Sequence, residues 1–332
     1  MRAEQEETLP TTPRTALAAL ATIFLVLAPE WAAAAWPEKP IRFIVTFPPG
    51  GSADYAARVL QPKLEKALGQ PVIVENRAGA GGVIGVDAAA KAPPDGYTMV
   101  LGGAGAVAIN VALGEKMPYD PQRDLIPVTN VAQSPFILAS PASLPEKTLR
   151  EVIARAKSNP DALSIGHGGN GTGMHLTALL FVHMAEAKIG LVPYRGMAPV
   201  TNDLAGGHVA LGITDTPSAI SLIRDGKIRA LAVSTRQRFA ALPDVPTVAE
   251  AGLPGFESMG WFGIEVAAGT PADIVAKLNA AFRVALQDPE VAERFRSVGM
   301  EPDYTPPEGF AKFIRDEIEK WSKLIAATGK VN

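Results

Sequence analysis

Cysteine is absent from the 332-residue chain, which excludes disulfides, thiol catalysis and cysteine-ligated metal. Histidine is scarce as well, with only His167, His175, His183 and His208 present. His175 and His183 fall eight positions apart on one expected helix, and no pair has the i, i+4 spacing and carboxylate partner of a helical metal site. No metal and no cofactor is therefore expected. A formal net charge of −3, without any cluster of lysine or arginine, leaves no electrostatic footprint for nucleic acid. What remains is ordinary for a globular protein: 47% hydrophobic and 20% charged residues, in a chain long enough for two domains.

The apolar run Ala16 to Ala28 is too short to cross a bilayer comfortably. Arg14 precedes it, and Ala32-Ala33-Ala34-Ala35-Trp36 follows with the small residues of a cleavage site, which is the layout of a secretory signal. Residues 1–35 are expected to be a signal peptide and 36–332 the mature protein, although Glu4, Glu6 and Glu7 are acidic where such signals begin basic. An exported domain of this size without cysteine suits a bacterial periplasm.

The stretch Phe47-Pro48-Pro49-Gly50-Gly51-Ser52-Ala53-Asp54 separates the apolar run Ile41 to Val45 from a segment carrying Ala57, Leu60, Leu64 and Leu68 at helical spacing. That pattern predicts strand, loop and helix. Ser52 is the expected N-cap. The first free N–H groups of the helix, at the positive end of its dipole, would form an anion site without a cationic side chain. A plain tight turn is the alternative.

The same theme recurs at Pro71 to Arg77 with the glycine-rich 78–82, and a further strand is expected at Tyr97 to Leu101. It restarts near Phe136 and continues through a helix at 148–158, the loop Gly166 to Gly173, a helix reaching about Ala185, and strands at 189–193, 209–213 and 228–233. Alternation of this kind predicts an α/β protein with mostly parallel sheets covered on both faces, and a ligand site beyond the carboxyl ends of the strands. After the strand at 261–266 only helices are expected, which must pack on a sheet already formed. The economical arrangement is two lobes, 36–138 with 259–332 and 139–258, joined by two crossing segments near 136–141 and 257–266.

Two enzyme motifs come close and fail. Gly166-x-Gly168-x-x-Gly171 fits a dinucleotide loop, but Tyr194-Arg195 stands where an acidic residue should bind ribose. Gly50-Gly51-Ser52-Ala53-Asp54 approaches a nucleophile elbow, but no histidine beyond His208 completes the hydrolase order. Arg195 could fork a carboxylate, His175 could touch ligand from a helix start, and Asp215 could cap a helix, face a ligand amine or join the hinge. Trp261 and Phe262 are candidates for a cleft wall or for core.

The runs Pro40 to Val45, Pro48 to Arg58, Val74 to Gly82 and Pro94 to Thr98, followed by Gly171 to Leu176, Pro193 to Gly196 and Asp215, resemble the Bug-type substrate-binding receptors of tripartite tricarboxylate transporters over essentially all of 36–332. Thr172 stands where serine is common in that family, and Arg195 where lysine is common. The resemblance implies a two-lobed periplasmic-binding-protein fold of the second type, non-enzymatic and monomeric. Such a receptor closes on a small organic acid and delivers it to integral-membrane permease subunits. An enzyme using the same cleft, or a receptor serving a sensor kinase, are the alternatives. The expected ligand-binding residues are Phe47, Gly50, Gly51, Ser52, Asp54, Gly168, Gly171, Thr172, His175, Tyr194, Arg195, Gly196 and Asp215.

Overall fold

The computed structural model describes residues 36–328, so the expected signal segment and its cleavage point lie outside the described residues. The described residues from Lys39 onward form one compact unit. Its first module follows the expected course: β1 (Ile41–Val45), α1 (Ser52–Leu68), β2 (Val72–Asn76), α2 (Val83–Ala90) and β3 (Thr98–Gly103). Ala56, Ala57, Leu60 and Leu64 form the buried stripe of α1, and Gly69, at φ 70°, ends the helix in the left-handed conformation that glycine adopts without strain. A wide helical turn at Gly105–Ile109 then runs into α3 (Asn110–Leu113).

β4 (Leu125–Pro141) is a 17-residue strand that organises the molecule. The second module hangs on its far end: α4 (Leu149–Ser158), β5 (Ser164–His167), α5 (Gly173–Ala185), β6 (Gly190–Pro193), α6 (Met197–Gly206), β7 (Leu211–Asp215), α7 (Thr216–Arg224) and β8 (Ile228–Val233). Thr148 and Glu151 close a reciprocal capping box at the start of α4. The chain returns in β9 (Met259–Ala267) and finishes with α8 (Ala272–Leu286), α9 (Pro289–Ser297), the short β10 (Glu301–Pro302) and α10 (Pro307–Thr328).

The strands join in the order β2-β1-β3-β9-β4-β7-β5-β6, with β8 and β10 also pairing to β4. β1 pairs in parallel with β2 and β3, as β5 does with β6 and β7, whereas β9 is antiparallel to both β3 and β4. Residues 125–135 of β4 pair with β9, and from Phe136 onward the strand pairs with β7 and β8. One strand therefore belongs to two lobes, and residue 138, where the sequence reading divides them, falls inside it. Each lobe has its own core. Phe136, Val152, Ile165, Phe181, Leu211 and Ile213 fill the second, while Ile44, Val86, Val100 and Tyr119 pack in the first. The closing helices lie on the first lobe, as expected of helices with no sheet of their own: Phe282 of α8 meets Phe43 of β1 edge to face at 6.1 Å.

Candidate functional site

The loops that follow β1, β3 and β5 converge, with Gly196 after β6 and Asp215 at the end of β7, on one cavity of about 580 Å³, its mouth included. All of these lie at the carboxyl ends of parallel strands, where ligands of such sheets bind. Phe136 of β4 and Gly260, Trp261 and Phe262 of β9 close it where the two crossing strands meet.

Of the residues expected from sequence, Phe47, Gly51, Ser52, Gly168, Thr172, Gly196 and Asp215 line this cavity. The others stand around it. Tyr194 and Arg195 line a neighbouring opening, and the Tyr194 hydroxyl donates to Asp203 at 2.7 Å. Burial and that carboxylate push the phenol up to about 12. His175 and Gly171 line a separate groove.

Asp54 and Gly50 build the first loop from behind. The Asp54 carboxylate accepts from the Gly50 N–H at 3.1 Å, from Arg58 Nε at 3.0 Å and from Asn76 Nδ2 at 3.0 Å. Burial alone would raise its pKa, but the guanidinium, the amide and the N–H outweigh burial and hold it below the usual carboxylate range.

Ser52 is not the N-cap of α1, contrary to expectation. That position belongs to Gly51, which has no side-chain cap. The reason is a competing partner from the other lobe. Asp215 Oδ2 accepts from the Ser52 N–H at 2.9 Å and from the Ser52 hydroxyl. Asp215 Oδ1 meanwhile accepts from the Ser218 N–H at 3.1 Å and caps α7. The same carboxylate is thus both helix cap and interlobe partner, two of the roles the sequence left open. Thr172 is the N-cap of α5, accepting from the His175 N–H at 3.2 Å, and its hydroxyl donates to the Gly169 carbonyl at 2.7 Å.

The second-lobe loop is supported from behind by two stacked imidazoles. His167 and His175 lie 4.6 Å apart at 22°. His175 Nδ1 accepts from the Gly171 N–H at 3.2 Å, and His167 Nδ1 lies 3.2 Å from the Gly169 carbonyl. His167 is fully buried, and its Nε2 has no hydrogen-bond partner among the described residues. Burial first, and the neighbouring ring second, push His167 down to about 4; burial lowers His175 as well.

Several cavity residues had not been singled out: Gly103, Ala104, Gly105, Phe136, Met174, Met197 and Gly260. The run Gly102-Gly103-Ala104-Gly105 directly after a strand repeats the small-residue theme of the other two loops, and that signal could have found it. Trp261 and Phe262 are wall and core together, 2% and 8% exposed.

Among the described residues, no group of three or more His, Asp or Glu is placed to hold a metal ion.

Residues 56–330 match the family described as the tripartite tricarboxylate transporter family receptor. Protein BugT of Bordetella pertussis is 40% identical over 319 residues, covering 95% of this chain and 98% of that protein. Among solved structures, a protein of R. palustris with adipate superposes with a TM-score of 0.85 at 36% identity, covering 89% of this chain and 98% of the other. MatC from Rhodopseudomonas palustris with bound malate superposes at 0.83 and 33%, covering 87% and 100%. With a family match over most of its length and relatives above 30% identity along nearly all of theirs, this chain belongs to the tripartite tricarboxylate transporter receptors, which bind solutes and are not enzymes.

Proposed function

We propose that the chain is exported to the periplasm, captures a small organic acid in the cavity between its lobes, and presents it to integral-membrane permease subunits. In this reading 36–138 and 259–332 form the lobe that carries β1 and α1, and 139–258 form the other. Phe47, Gly51, Ser52, Gly168, Thr172, Gly196 and Asp215 touch or enclose the ligand, while Gly50, Asp54, Gly171 and His175 hold the two loops that do so. Tyr194 and Arg195 flank the approach.

The observation that carries the reading is the pair of helix starts facing one cavity from opposite lobes, α1 at Ala53 and α5 at Gly173-Met174. The first N–H groups of a helix have no partner within it, and two such ends stabilise one negative charge without a cation. The malate and adipate carried by solved relatives belong to the same ligand class.

A thermal-shift screen against mono-, di- and tricarboxylates, amino acids and neutral sugars tests the proposal. Binding only the folded form at about a hundredfold excess over Kd raises the melting temperature by about 5 °C. At least one carboxylate should do so and the sugars should not. A panel in which no carboxylate moves the transition overturns the reading.

A further inference from the structure

We infer that the ligand is a monocarboxylate with a flat apolar body, an aromatic acid being the type, rather than a di- or tricarboxylate or an amino acid. The inference rests on the cavity being a carboxylate site, and it follows from what the rest of the wall is made of. Six large apolar side chains are in its lining: Phe47, Phe136, Met174, Met197, Trp261 and Phe262. Among the described residues, no lysine, arginine or histidine lines it.

Glycines let these groups lie flat on the backbone. A Cβ at Gly103 would come within 3.1 Å of the Phe47 ring, one at Gly260 within 2.8 Å of the Phe136 ring, and one at Gly168 within 2.7 Å of Met197 Cε and 3.1 Å of Met174 Sδ. Phe47 and Phe262 meet edge to face at 6.1 Å. The Trp261 indole N–H donates to Glu317 at 3.0 Å, so that polar atom is engaged away from any ligand. Ring faces and thioethers around a narrow space favour a flat apolar guest, through edge contacts with the rings and sulfur contacts with the methionines.

The polar side chains of the cavity have little left to offer a second charged group. The Thr172 hydroxyl is engaged by Gly169 and His175, and the Ser52 hydroxyl by Asp215. A ligand ammonium would look to Asp215, whose two oxygens already accept from Ser218 and from both donors of Ser52. A second carboxylate would lie unpaired against carbon and sulfur, without the hydrogen bonds that offset its desolvation. Arg195, which could have paired with it, lines the neighbouring opening instead. Pro48 stands between, pressed so near the Gly196 backbone that a Cβ there would come within 2.9 Å of its ring.

Titration calorimetry of the purified chain with benzoate, succinate and L-alanine decides the matter. Benzoate is expected to bind about tenfold or more tighter than either of the others. If succinate binds as tightly or more tightly, the inference falls while the carboxylate site stands. If alanine does so, the inference falls and Asp215 is an amine acceptor. If none of the three binds and no other acid moves the melting transition, the carboxylate site itself falls and the inference with it. Met197→Lys, which adds a cation to the wall, should narrow the preference for benzoate over succinate. An unchanged ratio in that variant would put the body of the acid elsewhere and overturn the inference.

Discussion

Asp215 and Ser52, separated by 163 positions in sequence, are joined across the cavity. One carboxylate oxygen of Asp215 takes both the backbone N–H of Ser52, at 2.9 Å, and its hydroxyl. Each residue sits at the start of a helix of a different lobe, so the bond exists only while the lobes are together. It is a latch whose acceptor is held in place by capping α7 and whose donor is the first turn of α1.

Removing the hydroxyl tests the latch. A hydrogen bond to a charged group contributes about 1.5–3 kcal/mol, and one made only in the closed arrangement enters the apparent affinity through the closed population. Ser52→Ala should therefore weaken ligand binding about tenfold or more, with little change in the melting temperature of the free protein. Calorimetry with any acid that shifts the melting transition reads this directly, and unchanged affinity would show that closure does not depend on the bond.

The second-lobe loop should be acid-sensitive through His167. An imidazole whose pKa falls from 6.5 to about 4 on folding binds its proton more readily in the unfolded chain. Its contribution is complete above about pH 6.5 and is lost as pH drops toward 4, by up to about tenfold in the folding equilibrium per pH unit. His167→Asn retains a donor for the Gly169 carbonyl and cannot titrate. Melting curves between pH 7 and 4 should be flatter in the variant, though not flat, because His175 is lowered too. Identical slopes would mean that the buried ring is not what titrates.

Glu265 sets the opposite slope. It lies on β9, fully buried near Val107, Gly102 and Tyr119, and among the described residues neither carboxyl oxygen has a hydrogen-bond partner of good geometry. Burial pushes its pKa well above the ordinary 4.5, and the nearby Gly102 backbone offsets this only in part. Here the native state favours the proton, so stability is complete below about pH 4.5 and declines as pH rises, again by up to about tenfold per pH unit until the folded carboxyl ionises. Glu265→Gln keeps the shape and cannot ionise. Its melting temperature relative to the parent should climb from pH 5 to pH 8, and a constant difference across that range would contradict the assignment.

These groups also mark the boundary of what the sequence made legible. The modules β1-α1 and β5-α5 were readable because every signal was local: a β-branched strand, a glycine turn, a cap or a small residue, then a helical stripe. The front half of β4 was not. Its Pro127, Asn130, Gln133 and Pro135 carry no strand pattern, and they persist in a strand because distant residues hold Asn130 and Gln133. Asp303 accepts from Asn130 Nδ2 at 2.6 Å and from Gln133 Nε2 at 2.8 Å, and a register shift falls directly after Pro127. The same holds at the site. The two loops announced themselves by composition, but which way Phe136, Met174 and Met197 point depends on packing between lobes, and nothing near Ser52 in sequence reveals that its hydroxyl has a partner at Asp215.

Glycine at 105 is required by the approach of the lobes and not by its own conformation, which separates closure from folding. It begins the helical turn Gly105–Ile109 in the first lobe, at a φ that any residue can adopt, and a Cβ there would overlap the Gly171 carbonyl oxygen of the second lobe. The obstacle is backbone on a loop already pinned by His175 and Thr172, so it cannot swing aside as a flexible side chain would. Gly105→Ala should accordingly fold, with local helix propensity improved by about 1 kcal/mol, yet fail to bring the lobes together. Ligand affinity should drop by about a hundredfold or more, the loss expected when the closed form is disfavoured by about 3 kcal/mol, while the melting temperature of the free protein stays within a few degrees of the parent. Small-angle scattering with saturating ligand should show the parent compact and the variant extended. A variant that binds normally would mean that Gly105 and Gly171 do not need to meet for the ligand to be held, and the closed arrangement of the loops would lose its functional meaning.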